Sequence, residues 1–579
     1  MAVALLLAAA LLAAALAGPQ HAGAQAPAVP TPAPTPVEVR VMTFNIWLGG
    51  DVVDFAKVVD AITAARADIV GLQEAEGNTR RIAEALHWPY WSDRLHVVSR
   101  FPLIDPPEAH GEYVLAQVRP GQVFALANEH LTSDPYGPYL VRSGQSLAQV
   151  LANERATRVP EINAAIAAIG PALRRGVPTF MTGDFNTPSA LDWTPAVDAV
   201  RADVHYPVPW PVTRATVRAG FTDTYRAVHP DPVATPGITW TFGYPFPRRA
   251  ANEVIDRIDF VQASRGVQVV DSGIVGPSGT PDVAYPVDPY PSDHRAVVSD
   301  VRFTPAVPAP FASVLDRRVE RGDPIPVRYA APRGEGSDTL RIVRAGGRAR
   351  DALMILPPQE ASFFGAVRFG SGDLRPGRYD ALLVTRGDRV LSRSTFWVVA
   401  PSASATVRGP GRVRAGRPIR VSWTNAPGMR RDWVGIWKAG DNDLYNDYLT
   451  FVYTGATVSG ATTIAGDAKT FPPGRYVVRL MKDDGYGGLA PVVLHRHPPV
   501  SGPPRLSRCA SGCRCAWRSA RPRGRPRGRP GSPPRRVRAA ATGHPTPPRP
   551  RRRRAGPRGC PRARRSPARS SRSPASSRA

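Results

Sequence analysis

The sequence predicts an α/β domain built on a mixed pair of sheets covered by helices, followed by two smaller all-β sandwich modules. Three observations carry this prediction. Between Val37 and Thr304, short apolar runs with strand-type alternation take turns with stretches of helical spacing. Between residues 305 and 500, alternating apolar residues and Pro-Gly turns recur at a nearly fixed offset. No cysteine precedes Cys509, so neither disulfides nor thiolate–metal sites hold these regions together. Those first 500 residues allow two to four domains at roughly 100–200 residues each.

The N-terminus reads as an export signal over residues 1–26. Ala2 to Ala17 is an Ala/Leu-rich run too short to span a bilayer comfortably, and Ala22-Gly23-Ala24 suits a cleavage site. The usual Lys or Arg near Met1 is missing. Residues 27–36, with Pro at 27, 30, 32, 34 and 36, form a stiff extended linker.

Residues 37–304 make the α/β domain. Val39 to Phe44 alternates like a strand, and Phe55, Val58, Val59 and Ile62 follow helical spacing. Asp68 to Leu72 is a buried-strand run that delivers Gln73 and Glu74. Val97-Val98 and Tyr113 to Val118 read as strands, and Val123 to Ala127 delivers Asn128, Glu129 and His130. A long helix is expected from Ser143 to Ala168, before Pro178 to Thr182 delivers Asp184. Strand patterns dominate after Phe221.

Six polar islands therefore sit where strands end: Thr43-Phe44-Asn45, Gln73-Glu74, Asn128-Glu129-His130, Gly183-Asp184-Phe185-Asn186, Arg257-Ile258-Asp259 and Ser292-Asp293-His294. Strand ends are where such folds place their chemistry. Carboxylates, amides and histidines in this order suit metal-dependent hydrolysis of a phosphoester. An anionic ester resists attack by water, and a hard divalent cation held by one or two carboxylates neutralises that charge. Glu74 is the leading metal ligand on this reading, helped by the side-chain oxygen of Asn45 and by Asp293. Asp184 and Asn186, two apart in a Gly-led loop, either aim into one cleft or form an Asx turn.

The islands resemble the endonuclease/exonuclease/phosphatase superfamily, which includes exonuclease III-type repair nucleases, pancreatic-type deoxyribonucleases, inositol polyphosphate phosphatases and neutral sphingomyelinases. FNIW around Asn45, IVGLQE ending at Glu74, NEHL around His130, TGDFN at Asp184 and Asn186, RIDFV at Asp259, and SDH at Asp293 and His294 carry the resemblance. It implies a four-layer α/β/β/α sandwich with Mg²⁺, or Mn²⁺, at the open edge of the two sheets. It further implies that His130 and His294 flank the phosphate and that Asp259 bonds and orients His294. Asp256 is a rival for that last role. Asp184 and His294 jointly activate water and protonate the leaving group, with the base left unassigned between them. One metal or two also stays open.

Residues 305–402 and 403–498 are two copies of one module. Val319, Gly322, Pro324, Ile325, Val327 and Tyr329 pair at an offset of 94 with Val413, Gly416, Pro418, Ile419, Val421 and Trp423. Pro376 to Tyr379 matches Pro473 to Tyr476 at 97. Both read as immunoglobulin-like sandwiches, and Asp432 to Lys438 is similar to SKICH-type adaptor domains. Trp423, Trp433, Trp437, Tyr445, Tyr448 and Tyr453 crowd the second copy, as either core or binding surface.

The formal charge of +28 suggests a nucleic-acid or membrane binder, but one segment carries it. Residues 501–579 hold 24 Arg and no Lys, Asp or Glu, leaving +4 for the first 500. The tail, residues 499–579, has the composition of a disordered chain. It reads either as an electrostatic arm or as out-of-frame translation of GC-rich DNA, and its cysteines (Cys509, Cys513, Cys515, Cys560) share that ambiguity.

The expected protein is a secreted monomer: no stable protein partner is evident, and the partner it needs is a phosphoester. Nucleic acid, a phospholipid head group, an inositol phosphate or a small ester all remain open, as does a silent binding scaffold. The insert Tyr206 to Arg218 and the loop Trp240 to Arg249 are expected to flank the cleft.

Overall fold

The computed structural model describes residues 35–497 except 110, 244–247, 251–252, 332–337, 359–363, 415, 442, 445–446, 465–470, 484 and 486–487. The expected export signal, most of the proline-rich linker, the arginine-rich tail with its four cysteines, and Tyr445 lie outside the described residues. None of the described helices is long and apolar enough to cross a membrane.

Up to Phe303 the strands are β1 (Val37–Asn45), β2 (Ile69–Gln73), β3 (Tyr90–Ser92), β4 (Val97–Ser99), β5 (Leu103–Ile104), β6 (Val114–Arg119), β7 (Gln122–His130), β8 (Thr179–Asp184), β9 (Phe221–Asp223), β10 (Asp259–Ser264), β11 (Gln268–Gly276), β12 (Val283–Pro286) and β13 (Ala296–Phe303). They form two mixed sheets, ordered β12-β11-β13-β1-β2-β4-β3 and β5-β6-β7-β8-β10-β9. In the first, β1 lies between β13 and β2, with Val37 opposite Phe303 and Asn45 opposite Gln73. In the second, β8 runs parallel to β7 and antiparallel to β10, so His130, Asp184 and Asp259 stand in one row.

The two-residue period of each strand sorts its side chains into separate cores. Val39, Val41 and Ile69 of the first sheet join Phe124, Leu126, Phe180 and Val261 of the second in one cluster. The opposite face of the first sheet, with Met42, Phe44, Val70 and Leu72, packs on Val58, Ala61 and Ile62 of helix Phe55–Ala64 and on Ile82. The opposite face of the second, with Ala125, Met181 and Phe260, packs on Ile162, Ala165 and Ile169 of helix Arg158–Arg174 and on Val212.

The long helix expected from Ser143 to Ala168 is instead two, Leu147–Ala156 and Arg158–Arg174. Pro160 explains the break: its ring clashes with the carbonyl four residues earlier, at Ala156, where the first helix ends. The insert Tyr206–Arg218 holds a helix of its own. Its helix Pro211–Arg218 packs on the domain core, and Trp210 is wholly buried edge-to-face against Trp193 with ring centroids 5.1 Å apart. Trp210 offers no ring to a ligand.

The duplication is visible in the strands. The first copy has β14 (Phe311–Ser313), β15 (Arg318–Glu320), β16 (Pro324–Ala330), β17 (Thr339–Arg344), β18 (Met354–Leu356), β19 (Phe364–Gly370), β20 (Gly377–Val384) and β21 (Val390–Val399). The second has β22 (Thr406–Arg408), β23 (Arg412–Arg414), β24 (Ile419–Thr424), β25 (Trp433–Lys438), β26 (Thr450–Tyr453), β27 (Gly460–Ile464), β28 (Gly474–Met481) and β29 (Gly488–His497). Their sheets follow one order, β14-β16-β19 with β15-β21-β20-β17-β18 and β22-β24-β27 with β23-β29-β28-β25-β26. In both, a tyrosine hydroxyl donates to a carbonyl four residues upstream: Tyr379 to Arg375, and Tyr476 to Pro472. Trp423, Trp433 and Trp437 are core residues, whereas Tyr448 and Tyr453 are about two-fifths exposed, at 37% and 40%.

Candidate active site

Along the inner faces of the two large sheets, apolar residues give way to polar ones toward one end of each strand. Val39 and Val41 are followed at the same period by Thr43 and Asn45; Ile69 by Gly71 and Gln73; Phe124 and Leu126 by Asn128 and His130. Phe180 is followed by Thr182 and Asp184, and Asp259 precedes Val261. The pleat thus carries the islands into the space between the sheets, where their side chains meet.

Asn45 links the two sheets. Its Nδ2 donates to Glu74 Oε1 at 3.0 Å and to Asp184 Oδ2 at 3.1 Å, while its Oδ1 accepts the Trp47 amide at 3.0 Å. Glu74 Oε2 accepts the Leu48 amide at 2.9 Å. Asp184 Oδ1 accepts the Asn186 amide at 2.9 Å, which is an Asx turn, and this turn leaves Oδ2 facing the cluster. Both histidines approach that oxygen: His130 Nε2 and His294 Nε2 each lie 3.7 Å from Asp184 Oδ2. Asn186 is turned the other way, its Nδ2 donating to Leu131 O at 2.9 Å.

His294 is held from behind. Its Nδ1 lies 3.0 Å from Asp259 Oδ2, and its backbone amide donates to Ser292 Oγ, whose own proton goes to Asn45 O. Asp256, the rival orienter, is committed elsewhere: Trp193 Nε1 donates to it at 2.8 Å and Tyr136 Oη at 3.1 Å. Burial works against charging His294, but the Asp259 and Asp184 carboxylates outweigh it and hold the imidazole well above the ordinary histidine value. Burial likewise pushes Asp293 up to about 6, and Glu74 and Asp184 add to the rise.

Several contributors had no role assigned from sequence. Gln73 Nε2 and Thr182 Oγ1 both donate to Asn128 Oδ1, at 2.7 and 2.9 Å, behind the catalytic row. Thr239 Oγ1 accepts the amides of Ile258 and Asp259, and Arg257 binds Asp192 and Asp223, which together fix the start of β10. Trp240 stands beside His294 with ring centroids 6.2 Å apart. Gln73 and Asn128 were signalled by their place in the islands; nothing local marked Thr239.

Asp184, Asp259 and His294 offer ligand atoms that all lie within 4.8 Å of one another, a possible metal site by distance. Glu74 and Asp293 bring two further carboxylates to the same end of the sheets, and Asp293 Oδ1 is buried without a hydrogen-bond partner. A buried carboxylate oxygen left unpaired among other carboxylates is costly unless a cation meets it, so the donor set suits a hard divalent ion.

Residues 42–294 match the model of the Endonuclease/Exonuclease/phosphatase family. The chain is 32% identical over 298 residues to an uncharacterized protein of Caenorhabditis elegans, a span covering 46% of this chain and 91% of that one. That family is a class of enzymes that are generally hydrolases of phosphoester bonds and typically use divalent metals. The chain belongs to the endonuclease/exonuclease/phosphatase family. Among solved structures it is similar to an endonuclease/exonuclease/phosphatase from Beutenbergia cavernae DSM 12333, with TM-score 0.31, 19% identity, and coverage of 62% of this chain and 99% of that one. It is also similar to the teleost fish polymeric Ig receptor ectodomain, with TM-score 0.14, 14% identity, and coverage of 33% and 98%.

Proposed function

We propose that the protein is a secreted, monomeric, Mg²⁺-dependent hydrolase that directs water onto the phosphorus of a phosphodiester. The carrying observation is the Asp259–His294 pair facing Asp184 Oδ2, beside the Asn45 bridge to Glu74. We read the core packing as a four-layer α/β/β/α sandwich over residues 37–304, with immunoglobulin-like modules at 305–402 and 403–498.

Glu74 and Asp293 would hold the cation, which supplies charge neutralisation at the phosphate. Asn45, expected from sequence to lend its amide oxygen, instead turns its Nδ2 to Glu74 and Asp184 and positions those carboxylates. The distance cluster of Asp184, Asp259 and His294 is better read as acid–base machinery, because His294 Nδ1 and Asp259 Oδ2 already satisfy each other. His294 keeps a proton on Nε2 for the leaving oxygen. Asp184 Oδ2 takes the proton of the attacking water as the new P–O bond forms and the ester P–O bond breaks. His130, from the neighbouring strand, contacts the phosphoryl oxygens, whereas Asn186, bonded to Leu131 O, holds the loop rather than the phosphate.

The test is hydrolysis of a chromogenic phosphodiester by wild type, Glu74→Gln and His294→Ala, with Mg²⁺, with Mn²⁺ and with chelator. Each variant and the chelator are expected to reduce turnover by about 10²-fold or more. Activity unchanged by all three would sink the mechanism. A panel of DNA, RNA, sphingomyelin and inositol phosphates then names the substrate.

A further inference from the structure

The second C-terminal module reaches the family domain by two loops; one lands on a strand that carries the site, the other on a turn residue hydrogen-bonded to such a strand. The loop between β24 and β25 delivers Arg430. Its Nη1 donates to Asn128 O at 2.9 Å, its Nη2 to Glu129 Oε1 and Oε2 at 3.2 and 2.9 Å, and its Nε lies 2.6 Å from Glu112 Oε2. The loop after β28 delivers Asp483, whose Oδ2 lies 2.7 Å from His96 Nε2. His96 O in turn accepts the amide of Leu72, on the strand that ends in Gln73 and Glu74. Asp432 ties the loops together: its carboxylate accepts the amides of Gly428, Met429 and Asp483.

Glu129 makes this contact more than an incidental ion pair. It sits on β7 between Asn128 and His130 but on the opposite face from both, and its side chain is only 3% exposed. Burial pushes its carboxyl up, and Arg430 opposes that push. Glu129 pairs with Arg430, and Arg431 is a second cation nearby. A guanidinium forks across carboxylate and carbonyl in one plane, so it fixes direction as well as charge. The fork closes on the two residues before His130, whose ring faces Asp184 from the other side of the strand.

We propose that the second module is a working part of the catalytic apparatus, with Arg430 as a positioning residue that fixes the end of β7 and thereby the His130 ring. This rests on the functional reading above for its kinetic consequence, but not for its structural one. Glu112, Asn128 and Glu129 on the family domain and Arg430 and Asp432 on the module form the brace.

The experiment uses the full chain as wild type, Arg430→Met and Arg430→Lys. Kinetics with Mg²⁺ on a chromogenic phosphodiester, melting temperature, and amide exchange of residues 124–131 are measured together. Lysine supplies the charge but not the fork. Arg430→Lys is therefore expected to melt near wild type while kcat falls about tenfold or more, with KM changed less than about twofold. Arg430→Met is expected to lower kcat further and to raise exchange at Asn128 to Leu131. An Arg430→Lys enzyme with wild-type kcat overturns the proposal, as does one whose kcat loss merely tracks a fallen melting temperature. If Arg430→Met fails to fold, the lysine variant alone decides. A wild type without metal-dependent hydrolysis overturns the functional reading instead. In that case exchange decides the brace: protection unchanged in Arg430→Lys overturns it, and lost protection supports it.

Discussion

At the scale of the residue, the site turns on one carboxylate behind one imidazole. Burial disfavours charge on His294, but Asp259 together with Asp184 outweighs it and makes His294 a proton carrier rather than a buried neutral ring. The sign follows from linkage. A histidine raised in the fold contributes stability below its unfolded value of about 6.5, and loses it as pH rises through the raised folded value. Asp259→Asn removes the counter-charge, so His294 gives up its proton at lower pH. The expected outcome is a kcat loss of about 10²-fold and an alkaline limb of the pH–rate profile moved toward acid. A variant with the wild-type limb would show that Asp259 does not set the state of His294. The resemblance pointed to Asp259, but the residues by themselves did not separate it from Asp256, since both lie in one short polar stretch. What separates them is distant chain: Trp193 and Tyr136 occupy Asp256.

At the scale of the element, the strands do the placing, and a glycine sets how closely the sheets approach. Gly71 of β2 faces Thr182 and Asn128 across the gap; a Cβ there would fall 2.1 Å from Thr182 Oγ1 and 2.3 Å from Asn128 Oδ1. Gly71→Ala is expected to cost about 1–3 kcal/mol in denaturant unfolding and to lower kcat by disturbing the Gln73–Asn128–Thr182 contacts. Full stability with full activity would show the sheets to be more compliant than their packing indicates. The islands were legible because period-2 strands make a polar switch on one face visible in a single chain. The helix break at Thr157 was not, because apolar spacing runs on through Pro160 and only the missing amide and ring clash interrupt it. The burial of Trp210 was not legible either, because the tryptophan that covers it, Trp193, lies outside the proline-rich segment.

At the scale of the molecule, the duplicated modules and the charged tail pose different questions. Arg430 could not be read from sequence, because its partner Glu129 lies 301 residues away and neither residue is unusual in its own segment. The tail is the reverse case, conspicuous in composition and outside the described residues. Removing residues 501–579 takes away 24 Arg and leaves a chain of net charge +4. If the tail is an electrostatic arm, that truncation is expected to abolish retention on immobilised DNA at about 0.15 M salt, where several phosphate contacts are needed for binding. Hydrolysis of a small soluble diester is expected to stay at the wild-type rate. Retention that survives truncation would move the nucleic-acid surface into the folded part.

The pairing of β1 with β13 also sets a timetable. Val37 lies opposite Phe303, so the first strand made waits in mid-sheet for the last strand of its domain before one of its edges closes. Asn45 ends β1 and His294 just precedes β13, so the two halves of the site are synthesised at opposite ends of the domain. Pairing this remote in sequence is slow and leaves strand edges open meanwhile. A nascent chain stalled before Ala296 therefore holds an unfinished sheet and no complete site. If the chain is exported as proposed, that delay would keep it threadable, and chemically silent, until translation has passed the domain.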